Sequence, residues 1–172
     1  MNEPTSTYRV ALKWGIILGL VSIVYSTILF LTDNVGDSWT SFVSIGISVG
    51  GLIMAMREFR TLNEGYMTYG EGLTVGMTTS VVSGLLSSLF SLFYMSFIDT
   101  NVMAKVADKT REKLEESGLS DDRIDQQMEM MERFQSPGFT FTFGILAVII
   151  GGLILSLIIA AFMRKNKANP FD

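Results

Sequence analysis

The chain has 172 residues, enough on length alone for one domain; 48% of them are hydrophobic and the mean hydropathy is +0.39, high for a soluble domain of this size. Cysteine and histidine are both absent, which excludes disulfides, thiol chemistry and zinc sites built on those ligands, and removes the side chain most used for proton transfer near neutral pH. The formal net charge is −4, but the acids crowd into one segment, so the total says little about partners.

The apolar residues are gathered into long runs, as membrane chains gather them, instead of being spread as periodic stripes. The first run, Trp14–Leu31, holds eighteen residues and no charge, close to the length needed for a hydrocarbon core of about 30 Å. It is longer than the apolar core of a signal peptide and ends in Leu31-Thr32-Asp33 without a small-x-small cleavage pattern, so it reads as an uncleaved span. A polar turn with Asp33, Asn34, Gly36 and Asp37 leads to a second run, Trp39–Met56. The third extends to Ile98 and starts near Gly72; the fourth, Phe139–Met163, follows Pro137-Gly138 and closes on Arg164-Lys165. Trp14, Trp39, Tyr94, Phe139 and Phe141 fall near span ends, where aromatic rings favour the headgroup region. The expected fold is therefore all-α and integral to the membrane, a single four-helix membrane domain over 1–172 with spans at about 14–31, 39–56, 72–98 and 139–163.

Between the third and fourth spans, 99–138 has another composition, with ten acids and six bases. Lys105–Glu116 is rich in helix formers and ends at Ser117-Gly118, where glycine suits a helix C-cap. Ser120 offers an N-cap, and Asp121 and Asp122 favour the first turn of a second helix. Ile124, Met128 and Met131 make one apolar stripe on that helix, suited to packing on the partner helix or the membrane surface, or to docking a partner protein. A charged helical hairpin is expected.

Lysine and arginine set the orientation. Arg9 and Lys13 precede the first span, Arg57 and Arg60 follow the second, and Arg164, Lys165 and Lys167 follow the fourth, against none in the first loop. That asymmetry predicts both termini in the cytoplasm and the hairpin outside, although the hairpin's own six bases run against the rule.

In lipid, helices associate through small residues and interhelical hydrogen bonds. Gly72, Gly76, Ser80, Gly84 and Ser88 recur every fourth residue along the third span; Gly152, Ser156 and Ala160 repeat the theme in the fourth. Gly15 and Gly19, and Gly46 and Gly50, are GxxxG pairs in the first two. These twelve positions are the expected helix-packing residues, available to the bundle itself, to an oligomer contact or to the wall of a conduction path. The third span also carries Thr74, Thr78, Thr79, Ser83, Ser87, Ser91 and Ser96. Such hydroxyls line a pore or return their protons to the i−4 carbonyl of their own helix.

No Asp, Glu, Lys or Arg interrupts any span, whereas ion-coupled transport relies on an intramembrane charge. The candidates for interfacial chemistry, Glu58, Glu64, Glu71, Asp33, Asp37 and Asp99, are isolated and read as solvated loop charges. The chain is expected not to be an enzyme, with no catalytic, cofactor or metal residues and no nucleic-acid partner. The 57–71 stretch, REFRTLNEGYMTYGE, reads as a short interfacial helix and turn with its tyrosines at headgroup level, or as a contact surface.

Gly65-Tyr66-Met67-Thr68-Tyr69-Gly70-Glu71-Gly72 runs directly into the Gly/Ser-rich third span. Phe93-Tyr94-Met95-Ser96-Phe97-Ile98-Asp99, Ser120-Asp121-Asp122-Arg123-Ile124 and Ala160-Ala161-Phe162-Met163-Arg164-Lys165 follow in order. In these stretches the chain resembles the Bacteroidetes integral membrane proteins filed as domain of unknown function 4199. The resemblance covers nearly the whole chain and brings no activity or site residue with it. It implies the inner membrane of a Gram-negative bacterium and a periplasmic hairpin. The expected function is that of a small multi-pass protein acting through helix packing, with the lipid bilayer and a homo-oligomer or membrane-protein partner as its contacts. The alternative is a small channel or facilitator formed by an oligomer, with the third helix lining the path.

Overall fold

A computed structural model describes residues 6–134 and 137–167; Pro4, Pro170 and positions 135–136 at the end of the expected hairpin lie outside them. Among the described residues there are six α-helices and no strand: α1 (Thr7–Leu31), α2 (Ser38–Leu62), α3 (Tyr69–Phe93), α4 (Val102–Glu116), α5 (Asp121–Arg133) and α6 (Pro137–Met163). Helix α3 runs on through a π-helical turn at Tyr94–Ile98. Four of these elements are long and apolar enough to cross a membrane, so the all-α, four-span reading holds and the protein is a membrane protein whose apolar helices meet lipid.

The helices outrun the apolar runs. Helix α1 begins at Thr7 instead of Trp14, and α2 continues through Arg57-Glu58-Phe59-Arg60 to Leu62. Charge ends a hydrocarbon span but does not end a helix, because Arg and Glu are good helix formers. The stretch after the second span is thus the end of α2 plus a short turn, in which Glu64 and Gly65 both take positive φ (56° and 83°). Helix α3 starts at Tyr69 behind a capping box: the Thr68 hydroxyl accepts from the Glu71 N–H at 3.3 Å, and the Thr68 N–H donates to the Glu71 carboxylate at 2.7 Å.

Helix α3 is the hub, packed along α1 on one side and α6 on the other. Helix α2 joins them by its second half, where Leu52, Ala55, Met56 and Phe59 are buried; residues 41–46 in its first half are all exposed. The apolar core lies at the end of the bundle that carries the N-terminal flank, the 63–68 turn and the C-terminal tail, here the terminal end. There Met67 and Lys165 exchange backbone hydrogen bonds of 2.9 and 2.8 Å, which clips the turn to the tail. At the opposite, hairpin end, Phe30 stacks on Tyr94 with ring centroids 4.4 Å apart, and Val102 of α4 closes over them. Tyr94 is buried in this cluster, so its ring near the span end packs on protein.

The hairpin forms with the expected punctuation. Gly118 takes φ 76° just past α4, and Ser120 has extended N-cap geometry, although its side chain makes no capping bond. Helix α4 starts at Val102 instead of Lys105. On α5, Ile124 is buried and Met128 and Met131 are half-buried, while the charged residues between them are exposed.

Candidate functional site

Each acid that the sequence leaves isolated has a structural partner. Glu58 accepts from Lys13 Nζ at 2.9 Å and from Trp14 Nε1 at 2.8 Å, tying α2 to α1. Glu64 pairs with Lys167 at 2.6 Å, and that bond lowers the pKa of Glu64 and raises that of Lys167. Glu71 closes the cap of α3. Asp33 and Asp37, in the first loop, meet α4: Lys105 Nζ lies 2.7 Å from Asp33 Oδ1, Lys109 Nζ 3.3 Å from Asp37 Oδ1, and Lys109 and Lys113 donate to the carbonyls of Asp33 and Gly36. Lys105, Lys109 and Lys113 are spaced i, i+4, i+8 and therefore share one face of α4. Asp99 accepts from the Asn101 N–H at 2.9 Å and from Lys105 at 3.1 Å; both lower its pKa, the backbone bond more. Lys105 is correspondingly raised, first by Asp33 and then by Asp99. The same carboxylates thus serve as ties between elements.

The twelve small residues divide by surroundings. A Cβ added at Gly15 would lie 2.6 Å from Val82 Cβ, and one at Gly19 would lie 2.9 Å from Leu86 Cδ1, so α1 meets α3 at both positions. At Gly72 an added Cβ would stand 3.0 Å from Ala160 Cβ, and at Gly76 2.7 Å from Ser156 Cβ. At Gly84 it would meet Val148 Cβ at 3.0 Å, and at Gly152 Ser80 Oγ at 2.6 Å, so α3 and α6 interlock along their length. Ser88 is half-buried opposite Gly144. Around Gly46 and Gly50 an added Cβ would find no atom within 4 Å, whereas Gly51, one residue on, would meet Leu18 Cδ1 at 2.7 Å. On α2 the glycine that faces the bundle is outside the GxxxG pair.

The hydroxyls divide as well. Thr74 donates to the Gly70 carbonyl at 2.9 Å, and Ser44 and Ser48 donate to the carbonyls four residues back at 3.0 Å, which is self-satisfaction. Thr79 instead crosses to the Ala11 carbonyl of α1 at 3.3 Å. The Ser156 hydroxyl is fully buried without a partner. Among the described residues the hydroxyls of Ser87, Ser88 and Ser91 have no hydrogen-bond partner, and they open onto cavity space.

Among the described residues, cavities lie along α3, and three of them share its hydroxyls as walls. Two, of about 290 and 270 Å³, sit between the first half of α2 and the rest of the bundle, sharing Leu18, Ser44, Ser48, Ser83 and Val148 as walls. The second of them adds Ser22, Tyr25 and Ser26 from α1. A third, of about 430 Å³, lies between the outer parts of α3 and α6 under Thr100 and Met103. Ser87 borders the second and the third, and no Asp, Glu, Lys or Arg lines any of them. Below Ser80, towards the terminal end, Leu52, Met56, Val75 and Ile159 fill the bundle. The hydroxyls of α1 and α2 in these walls were legible only as the i, i+4 pairs Ser22/Ser26 and Ser44/Ser48, a spacing that says they share a face and not what the face meets. Among the described residues no group of three acids is placed to hold a metal ion.

No curated protein matches the chain, and no solved structure does. Residues 13–165 match the family model described as protein of unknown function (DUF4199), and with nearly its whole length inside that match the chain belongs to this family.

Proposed function

We propose that the protein is a non-enzymatic, multi-pass protein of the bacterial inner membrane that acts by association, pairing with a second copy through the first half of α2. The observation that carries this reading is the contrast among the small-residue motifs. Those of α1, α3 and α6 are occupied inside the bundle, while Gly46 and Gly50 face open space on a half-helix whose residues 41–46 are all exposed. Two such helices can approach closely at a GxxxG surface. Because the chain has no cysteine, a single Phe42→Cys variant, one turn from Gly46 on the exposed side of α2, gives a clean crosslinking test in native membranes. A disulfide-linked dimer is expected, and Gly46→Leu with Gly50→Leu is expected to abolish it while the folded monomer persists. A strict monomer in bilayers, or dimerisation indifferent to both leucines, would overturn the reading.

The termini are cytoplasmic in this proposal and 99–138 periplasmic. The seven flanking bases support it, and the ion pairing of Lys105 and Lys109 with first-loop acids supplies a reason why the hairpin's bases do not reverse the rule. A cysteine at position 122 is expected to react with an impermeant maleimide from outside, and one at position 63 only after permeabilisation.

The channel reading has one observation in its favour, the hydroxyl-lined cavities along α3. The apolar filling from Leu52 to Ile159 supports a one-ended cavity over a through path in a single bundle. Solute flux through proteoliposomes above that of empty vesicles would revive it.

A further inference from the structure

The cavity under Thr100 and Met103 has a chemical character of its own. On one side it is walled by Ser87, Ser88 and Ser91 of α3, and on the other by Phe141, Gly144 and Val148 of α6. Leu92, Met95 and Met103 complete an apolar surround, and the volume of about 430 Å³ falls in the range that accepts a drug-sized ligand. Three half-buried serine hydroxyls reach it without a hydrogen-bond partner among the described residues, although each has its own i−4 carbonyl within the reach of an ordinary rotamer change. Met95 belongs to the π-helical turn, a widened geometry that recurs where helices form binding sites.

We propose that this cavity binds an uncharged, lipid-soluble carbonyl compound of quinone size, its carbonyl oxygens accepting from the serine hydroxyls. The absence of any charged wall residue excludes an ionised head, which would be left uncompensated away from water. Free hydroxyls supply donors, which a carbonyl needs. Phe141 with the thioethers of Met95 and Met103 offers the flat, polarizable surround that suits a planar ring. Depth separates this ligand from a phospholipid. Ser87 lies eleven residues before the end of the span at Ile98, about 16 Å along the helix, so the serine hydroxyls of the site are deeper than its methionines, while Thr100 adds a single hydroxyl at the mouth. A phospholipid would present the reverse order. The site is separate from the open face of α2 and does not depend on dimerisation.

The test uses the full-length protein in lipid nanodiscs and an azido-benzoquinone carrying a decyl chain as photoprobe. Crosslinks are expected within 87–103 and 141–148, displaced by unlabelled decyl-benzoquinone and not by decanoate. Ser87→Ala with Ser91→Ala is expected to weaken binding about tenfold through two lost hydrogen bonds, and Gly144→Leu, which has room for its side chain, to abolish site labelling. Labelling spread over the lipid-facing surface, equal displacement by decanoate, or undiminished labelling in the folded Gly144→Leu protein would overturn the proposal. If Gly144→Leu does not fold, an unchanged affinity in the serine double variant overturns it alone.

Discussion

The two ends of the bundle are built on opposite principles. At the terminal end, small residues of α3 admit large or close neighbours from α2 and α6: Met56 and Ser156 crowd Gly76, and Ala160 and Met67 crowd Gly72. Leu52, Ala55, Met56, Met67, Val75 and Ala160 are all fully buried there. At the hairpin end the first half of α2 stands apart, serine hydroxyls join apolar side chains on the inner walls, and the joint between elements is made by the small Phe30–Tyr94–Val102 cluster and by lysines reaching acids outside the spans. Lipid supplies no hydrophobic force to close a gap between helices. Contact density therefore reports directly which half is held by packing, and the hollow half is held by its ends.

The largest effect expected to test this contrast is overpacking. Gly76→Leu should destabilise the bundle by about 3 kcal/mol in a denaturant titration from mixed micelles, because its side chain would fall on Ser156 and Met56. Gly46→Leu should leave monomer stability within about 0.5 kcal/mol; equal losses at the two glycines would break the comparison. Truncation comes next. Leu52→Ala should cost about 2–4 kcal/mol as a cavity opens in the filled half. Leu92→Ala borders a void already present and should cost no more than about 1 kcal/mol. A smaller effect with the opposite sign is expected at Ser156, whose buried hydroxyl has no partner. Ser156→Ala keeps the Cβ and removes an unsatisfied group, so the protein should gain about 1 kcal/mol; a loss would mean that the hydroxyl is bonded in the membrane.

The smallest effect concerns the joint at the hairpin end. Asp99 has a lowered pKa in the folded protein, through Asn101 and Lys105. Its contribution is therefore present above the ordinary Asp range and is lost as the pH falls through the folded value. The protection factors of 102–116, which take out the intrinsic pH dependence of exchange, should fall as the pH drops below the ordinary Asp range while those of α1 and α3 hold. A fall confined to alkaline pH would reverse the assignment.

The sequence carried the fold further than the site. Uncharged runs locate the four spans because their lengths match a bilayer, and Gly118 and Ser120 mark the hairpin turn because backbone geometry there favours those residues. Helix ends were less legible: Arg57 and Glu58 end the apolar run and are good helix formers at once. Partners were the least legible. The i, i+4, i+8 spacing of Lys105, Lys109 and Lys113 announces a face, but the first-loop acids that it meets lie 72 residues away. Likewise the hydroxyls of Ser44 and Ser87 look alike in sequence. One bends back to its own helix and the other does not, and only the neighbouring helix decides which.

The clip between Met67 and Lys165 has a consequence for biogenesis. The ribosome delivers the chain in order, so α1, α2 and α3 are in the bilayer, and the lysines of α4 have emerged to meet Asp33 and Asp37, before α6 exists. Lys165 follows α6 in the chain, so its two backbone bonds to the 63–68 turn can form only once α6 lies against α3. Chain order therefore allows the hairpin end to be fastened before the terminal end, where the apolar core lies. A chain that stops between Met163 and Lys165 would hold all four spans and lack the clasp that ties the tail to the turn.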